Sequence, residues 1–135
     1  MPDLPSRILE QSYEVTDHEA IHFMGPEVPP ALATPSLVSW MELTCRECVR
    51  ELLNPGEDTV GVSLQIKHLA PTPVGMKVRV VSRLQSIDGR IYSFSVEASD
   101  EVEKVGECTH QRASVLVAKF ASRVAAKKEK ALGKG

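Results

Sequence analysis

Two titratable side chains occupy positions where the surrounding pattern favours apolar residues. They are Glu42 in "TPSLVSWMELTC" and His68 in "TVGVSLQIKHL". Each alone has a simple structural explanation: Glu42 could form a helical ion pair with Arg46, and an inward histidine is usually a hydrogen-bonded core residue. Burying a carboxylate without a partner, however, costs several kcal/mol. A carboxylate and an imidazole that converge on one cleft are typical of general acid–base chemistry.

The segment around Glu42 is predicted to be a long amphipathic helix. At about 100° per residue, most apolar residues of 37–53 fill one side of a helical wheel, although Trp40 and Leu43 fall on the other, and Glu42 lies near the edge of the apolar side. Thr34 is a suitable N-cap residue and Pro35 suits the first helical position. The sequence "NPG" at 54–56 is expected to end the helix.

The remaining elements are predicted to be β-strands. A first strand is expected at 8–16, before the helix, and four more follow it at 59–69, 76–87, 90–99 and 104–118. The turn Asp88-Gly89 between two alternating segments is a strong hairpin signal. Alternation along 59–69 puts Val60, Val62, Leu64 and Ile66 on one face together with His68. One long helix and an antiparallel sheet that wraps it form an α+β domain.

A five-residue match, "HEAIH" at 18–22, fits the H-E-x-x-H signature of zinc proteases. The extended form of that signature would have a third histidine at position 28, which is Val28 here. Both histidines must also face one metal from a helix, and the breaker-rich sequence "GPEVPP" at 25–30 follows almost at once. We therefore expect no metal and no cofactor.

The composition predicts one soluble domain over residues 1–135. The chain has 42% hydrophobic residues and a formal net charge of -2, which argues against a nucleic-acid binder. Residues 119–135 hold six of the 16 basic residues and one of the 18 acidic ones. We expect this basic tail to be solvated and either partly helical or frayed, and the alternative is a phosphate-attracting segment.

The location is expected to be cytoplasmic, without membrane association. No run of apolar residues is long enough to span a bilayer, and residues 1–11 contain neither the apolar segment nor the charged segment of a secretory signal. An odd count of three cysteines suits a reducing compartment. Cys45-x-x-Cys48 could be a redox or metal pair, but both residues lie in the apolar arc of the helix, which favours two small buried hydrophobes.

Three separated segments of the chain resemble one known family. "ALATPSLVSWMELTC", "NPGEDTVGVSLQIKHLAPTPVG" and "GECTHQRASV" are similar in order and spacing to the fluoroacetyl-CoA thioesterase-like branch of the hot-dog fold, over roughly residues 31–120. The resemblance implies a homodimer, a sheet wrapped around one long central helix, and an acyl-thioester site at the subunit interface. It matches Thr34, Glu42 and His68 to the family's catalytic residues, and Gly61 and Arg112 to positions that hold the substrate.

Two departures from the family pattern concern specificity. Where the fluoroacetyl-CoA-selective member has aromatic side chains in a lid, this sequence has Gly25, Val28 and Leu32, and Pro35 replaces a glycine. We therefore expect hydrolysis of short or medium acyl-CoA thioesters, with Val28 and Leu32 at the edge of the acyl pocket. Fluorinated specificity is not expected.

Two other functions are compatible with this fold. One is a non-catalytic module that binds or senses acyl thioesters, since a fold supports binding and catalysis alike. The other is a hydratase or dehydratase, disfavoured because no aspartate occurs between Asp17 and Asp58. Thr34 and Glu42 lie about 12 Å apart along a straight helix. They can therefore meet only if the preceding segment folds back or another subunit intervenes.

Overall fold

A five-stranded antiparallel sheet curves around one helix. The computed structural model describes residues 7–133, so both ends of the predicted domain, 1–6 and 134–135, lie outside the described residues. The elements in chain order are β1 (Ile8–Glu14), β2 (Ala20–Ile21), β3 (Ala31–Leu32), α1 (Thr34–Cys48), β4 (Glu57–His68), β5 (Lys77–Asp88), β6 (Ile91–Ser99), β7 (Lys104–Leu116) and α2 (Val117–Ala131). The large sheet has the order β1-β5-β6-β7-β4, which leaves β1 and β4 at its edges. The predicted α+β class is confirmed.

The core lies between α1 and the concave face of the sheet. Leu37, Met41 and Cys45 are fully buried at helical spacing. Burying each large apolar side chain contributes roughly 1.5–3 kcal/mol. Cys48 and Cys108 are also free and buried, and burial raises the pKa of Cys45 to about 12. These thiols stay protonated at neutral pH, which confirms the prediction of small buried hydrophobes.

The beginning of α1 differs from the prediction. Ala33 is the N-cap, with an extended backbone at φ -75° and ψ 141°, and Thr34 is the first helical residue. Thr34 therefore does not cap the helix, and Pro35 occupies the second helical position instead of the predicted first. The Thr34 hydroxyl is available for a partner on β4. At the other end α1 finishes at Cys48, and a separate 3₁₀ turn spans Arg50–Leu52.

A β-bulge in β4 reverses the predicted alternation. The register against β7 shifts between Gly61 and Ser63, and an extra residue in one strand exchanges the two faces beyond it. Val62, predicted to face inward, is 53% exposed, whereas Thr59 is 3% exposed. The predicted common face of Val60 and Val62 with His68 is therefore wrong. Thr59 and Gly61 take the inward positions before the bulge.

The histidines of "HEAIH" do not share a helical face. Asp17–Glu19 form a 3₁₀ turn and β2 follows immediately, so the helix required by the zinc signature is absent from this described segment. His22 Nε2 lies 3.2 Å from the carbonyl oxygen of Asp17. Within residues 7–133 no cluster of three or more His, Cys, Asp or Glu side chains is placed to hold a metal.

The basic C-terminal segment is helical over Val117–Ala131, and none of the residues in that range is buried. Among residues 7–133, no helix has the length and apolar character needed to cross a membrane.

Candidate active site

A threonine–histidine pair joins the start of α1 to the end of β4. Thr34 Oγ1 lies 2.7 Å from His68 Nδ1. The other ring nitrogen, Nε2, is buried and has no hydrogen-bond partner among the described atoms. Burial lowers the pKa of His68 below its ordinary value of 6.5. At neutral pH the imidazole is uncharged and can exchange a proton at Nε2.

A carboxylate–guanidinium pair lies further along the same helix. Glu42 Oε2 is 3.3 Å from Arg112 Nη1, and the two side chains are 41% and 6% exposed. The alternative partner from the sequence, Arg46, instead makes a bidentate contact with Asp58 at 3.0 and 2.7 Å. The helical ion pair is therefore wrong as an explanation of Glu42. The Glu42 side chain, at 41% exposure in the isolated chain, is also still accessible to solvent.

Hydrogen bonds to Thr59 and His110 fix the position of the Arg112 guanidinium next to Glu42. Its Nε donates to Thr59 Oγ1 at 2.7 Å and its Nη2 donates to the Thr59 carbonyl at 2.8 Å. Nη1 also approaches His110 Nε2 at 3.2 Å. His110 Nδ1 donates to the carbonyl of Ser63 at 2.8 Å, which leaves Nε2 as the acceptor. Burial and, to a smaller extent, the charge of Arg112 lower the pKa of His110, so this imidazole is neutral.

Thr59 and His110 were missed by sequence reasoning. The signal was present in β7, where Cys108, His110 and Arg112 recur at every second residue and are all buried. Polar side chains at every second position of a strand point to the same face of the sheet, and when that face is buried they need hydrogen-bond partners within the protein. The pattern therefore marks an inward polar network.

Gly61 allows its strand to approach Glu42 closely. A Cβ at Gly61 would collide with Glu42 Oε2 and would lie 3.3 Å from His110 Cε1. No larger residue fits unless the carboxylate moves. The structure thus brings together Glu42, Gly61 and Arg112, as it brings together Thr34 and His68.

Replacing Gly61 with alanine is expected to displace the Glu42 carboxylate while preserving the fold. Glu42 is 41% exposed, so it can swing outward without disturbing the core. A displacement of about 1 Å can cost up to 100-fold in rate. For the thioester hydrolysis that the family resemblance implies, we expect kcat to fall roughly 10- to 100-fold. Steady-state assays and thermal melting measure both effects. Unchanged kcat in a folded Gly61→Ala variant would contradict this role of the close approach.

The two pairs lie apart within one chain. Thr34 and Glu42 are separated by about 12 Å of helix, and Gly61 and His68 by roughly 20 Å of strand. The described hydrogen bonds contain no link between them. The predicted meeting of Glu42 with His68 is therefore not made inside a single chain.

An open apolar pocket of about 470 Å³ adjoins the Thr34–His68 pair. Its walls include Ile21, Phe23, Leu32 and Leu69. Leu32 lines this pocket, whereas Val28 is 45% exposed and is not among the lining residues. Phe23, 79% exposed, supplies an aromatic side chain at the mouth of the pocket.

One long helix wrapped by an antiparallel sheet is the architecture of the hot-dog fold, and the two polar pairs beside β4 are groups that a thioester hydrolase can use. The chain belongs to the fluoroacetyl-CoA-specific thioesterase family, whose sequence model matches residues 15–118. It is 34% identical over 118 residues to the fluoroacetyl-CoA thioesterase of Streptantibioticus cattleyicolor, covering 83% of this chain and 85% of that protein.

Solved structures agree with this assignment. A fluoroacetyl-CoA thioesterase structure superposes with a TM-score of 0.84 at 31% identity, over 94% of this chain and 98% of that one. A thioesterase superfamily member from Thermus thermophilus gives 0.83 at 28% identity, over 98% and 96% of the two chains. The predictions of a hot-dog fold and of a thioester hydrolase are confirmed.

Proposed function

We propose that this protein is a cytoplasmic, homodimeric acyl-CoA thioesterase that uses Thr34, Glu42 and His68 as catalytic groups. The observation that carries the proposal is the placement of two complementary polar pairs along β4, one beside Gly61 and the other at His68. Free, buried cysteines support a reducing compartment. We also propose a single domain, because α1 and strands of the large sheet share one buried core.

The free edge of β4 provides the surface on which two copies of the chain can pair. The strand pairs with β7 on one side only, and an unpaired edge is a template for pairing with another chain. In an antiparallel pairing of two copies about a two-fold axis, the beginning of one β4 meets the end of the other. Gly61 and Glu42 of one protomer then lie beside His68 and Thr34 of its partner. Each dimer contains two such composite sites.

The chemistry follows from the groups in each composite site. The Glu42 carboxylate either attacks the acyl carbon or removes a proton from an attacking water. Where Glu42 is the nucleophile, water then hydrolyses the acyl–Glu42 anhydride. In both routes the C–S bond breaks, and His68 relays to the departing thiolate sulfur the proton that the water loses, so the imidazole is uncharged at the beginning and the end of the cycle. The Thr34 hydroxyl fixes the ring of His68 at Nδ1. The net reaction consumes one water and releases the free acid and CoA.

The relatives inform the substrate class. The structure of a variant of the fluoroacetyl-CoA-specific thioesterase contains fluoroacetate and CoA, which supports CoA as the carrier here. The apolar pocket beside His68 favours an unsubstituted short or medium acyl chain, because burying each CH₂ group contributes about 0.8 kcal/mol. Its lining offers few groups that would recognise a single C–F bond.

A panel of acyl-CoA substrates tests this proposal. We expect release of free thiol with kcat/KM rising from acetyl to medium chains and differing less than about tenfold between fluoroacetyl-CoA and acetyl-CoA. A strong preference for the fluorinated substrate would contradict the specificity. Tight binding of acyl-CoA without any thiol release would instead identify a sensing module.

A further inference from the structure

A second pocket lies between the first half of α2 and the open end of the β6–β7 hairpin, where β6 begins and β7 ends. Its volume is about 340 Å³, and its lining includes Arg90, Lys119, Arg123, Phe120 and Glu57. Three of these side chains are cationic and one is aromatic. This composition differs sharply from the apolar pocket at His68.

The cations of this pocket lack carboxylate partners. None of the ion pairs formed within residues 7–133 includes Arg90, Lys119 or Arg123. Glu57 uses Oε1 to accept a hydrogen bond from the Asn54 amide at 2.8 Å. Arg90 Nη1 donates to the carbonyl oxygen of Ser114 at 3.4 Å, and the remaining N–H groups of the three cations are available to a ligand.

The same charges are unfavourable for α2 itself. Its first turn contains no acidic residue, although helix N-termini favour negative charge. Lys119 and Arg123 are four residues apart, where like charges repel on a helix. A bound anion would relieve both effects.

The pocket lies along the same strands as the catalytic carboxylate. Glu57, Thr59 and Gly61 alternate on β4 before the bulge and share its inward face. Glu57 pairs with Leu116, the last residue of β7 before α2, and Gly61 pairs with Arg112. The separation from Gly61 to Glu57 is about 13 Å of strand. This distance therefore separates the residue beside Glu42 from the residue beside the basic pocket, and it is within the reach of an extended pantetheine arm.

Coenzyme A has the required arrangement of groups. Its pantetheine arm separates the thiol from a diphosphate, a 3′-phosphate and an adenine. Arginine binds phosphate through paired hydrogen bonds and lysine binds it as a point charge. Phe120 is 41% exposed, and an aromatic side chain can stack on a base.

We propose that Arg90, Lys119, Arg123 and Phe120 form the subsite for the 3′-phosphorylated adenine nucleotide of CoA. The three cations hold the phosphates and Phe120 stacks on the adenine. This inference rests on the proposed thioesterase function. It assigns the basic segment to substrate recognition, which was the less favoured of the two sequence interpretations.

The test compares two substrates that differ only in the nucleotide. The double variant Lys119→Gln/Arg123→Gln should raise KM for an acyl-CoA about tenfold with kcat nearly unchanged, since two charge-assisted contacts are lost at a partly solvated site. Hydrolysis of the matching acyl-N-acetylcysteamine thioester, which has no nucleotide, should not change. Lys128→Gln, on the opposite face of α2, is the matched control and should affect neither substrate.

Direct binding separates this inference from the proposed function. Adenosine 3′,5′-bisphosphate should bind the wild-type protein, and both the double variant and Phe120→Leu should weaken that binding, even if no thioester is hydrolysed. Equal binding of the bisphosphate by wild type and double variant would overturn the subsite. An equal loss of kcat/KM for both thioesters, or conversion of the dimer to a monomer by the double variant, would also overturn it.

Discussion

Replacing Glu42 with glutamine is expected to lower the turnover of acyl-CoA by a factor of about 10² to 10⁴. The variant keeps the size and shape of the side chain but removes the carboxylate that we propose attacks the thioester or activates water. Its amide oxygen can still accept the hydrogen bond that Arg112 Nη1 now donates to Glu42 at 3.3 Å. The fold and the dimer should persist. Thiol-release assays, circular dichroism and light scattering measure these outcomes.

A purely structural role for Glu42 makes a different prediction. If the carboxylate only neutralised Arg112, Glu42→Gln would cost about 1 kcal/mol of unfolding free energy, because Glu42 is 41% exposed, and turnover would stay close to wild type. Glu47→Gln provides a matched control on the same helix, where Glu47 contacts Arg50 at 3.1 Å. That control should leave turnover unchanged. Near wild-type hydrolysis by the Glu42→Gln variant would contradict the proposed mechanism.

The helical wheel predicted the unusual position of Glu42 but not its partner. Helical spacing compares only residues on the same helix, so the partner that it predicted for Glu42 was Arg46. The actual partner, Arg112, comes from β7, 70 residues later in the chain. Arg46 instead forms an ion pair with Asp58 on β4. Contacts of this kind depend on how strands are arranged around the helix, which periodicity within one element cannot specify.

Strand positions were predicted well and strand faces less well. The predicted strands at 76–87 and 90–99 correspond to β5 and β6, because alternation and the Asp88-Gly89 turn are local signals. In β4 the bulge after Gly61 reversed the faces, and no local pattern marked the extra residue. The assignments of Thr34, Glu42, His68, Gly61 and Arg112 came from the family resemblance and remain proposals as catalytic and binding residues.

The composite site predicts that two inactive variants restore each other. Glu42→Gln and His68→Ala homodimers should each be nearly inactive, and the double variant should be little worse than either, since groups that act as one unit are non-additive. When the two single variants exchange subunits at equal amounts, half of the dimers are mixed. A mixed dimer has one intact site, because the intact His68 of one chain faces the intact Glu42 of the other. We expect about a quarter of wild-type activity.

The control is the same exchange between Glu42→Gln and the Glu42→Gln/His68→Ala double variant. Its mixed dimers contain no intact carboxylate, so activity should not recover, although subunit exchange is equally complete. Native mass spectrometry measures the mixed fraction in both experiments. Recovery only in the first mixture requires that Glu42 and His68 act from different chains, as their separation along α1 and β4 demands. If mixed dimers form and activity does not return, each site must be assembled within one chain, and the edge of β4 cannot be where the two catalytic pairs meet.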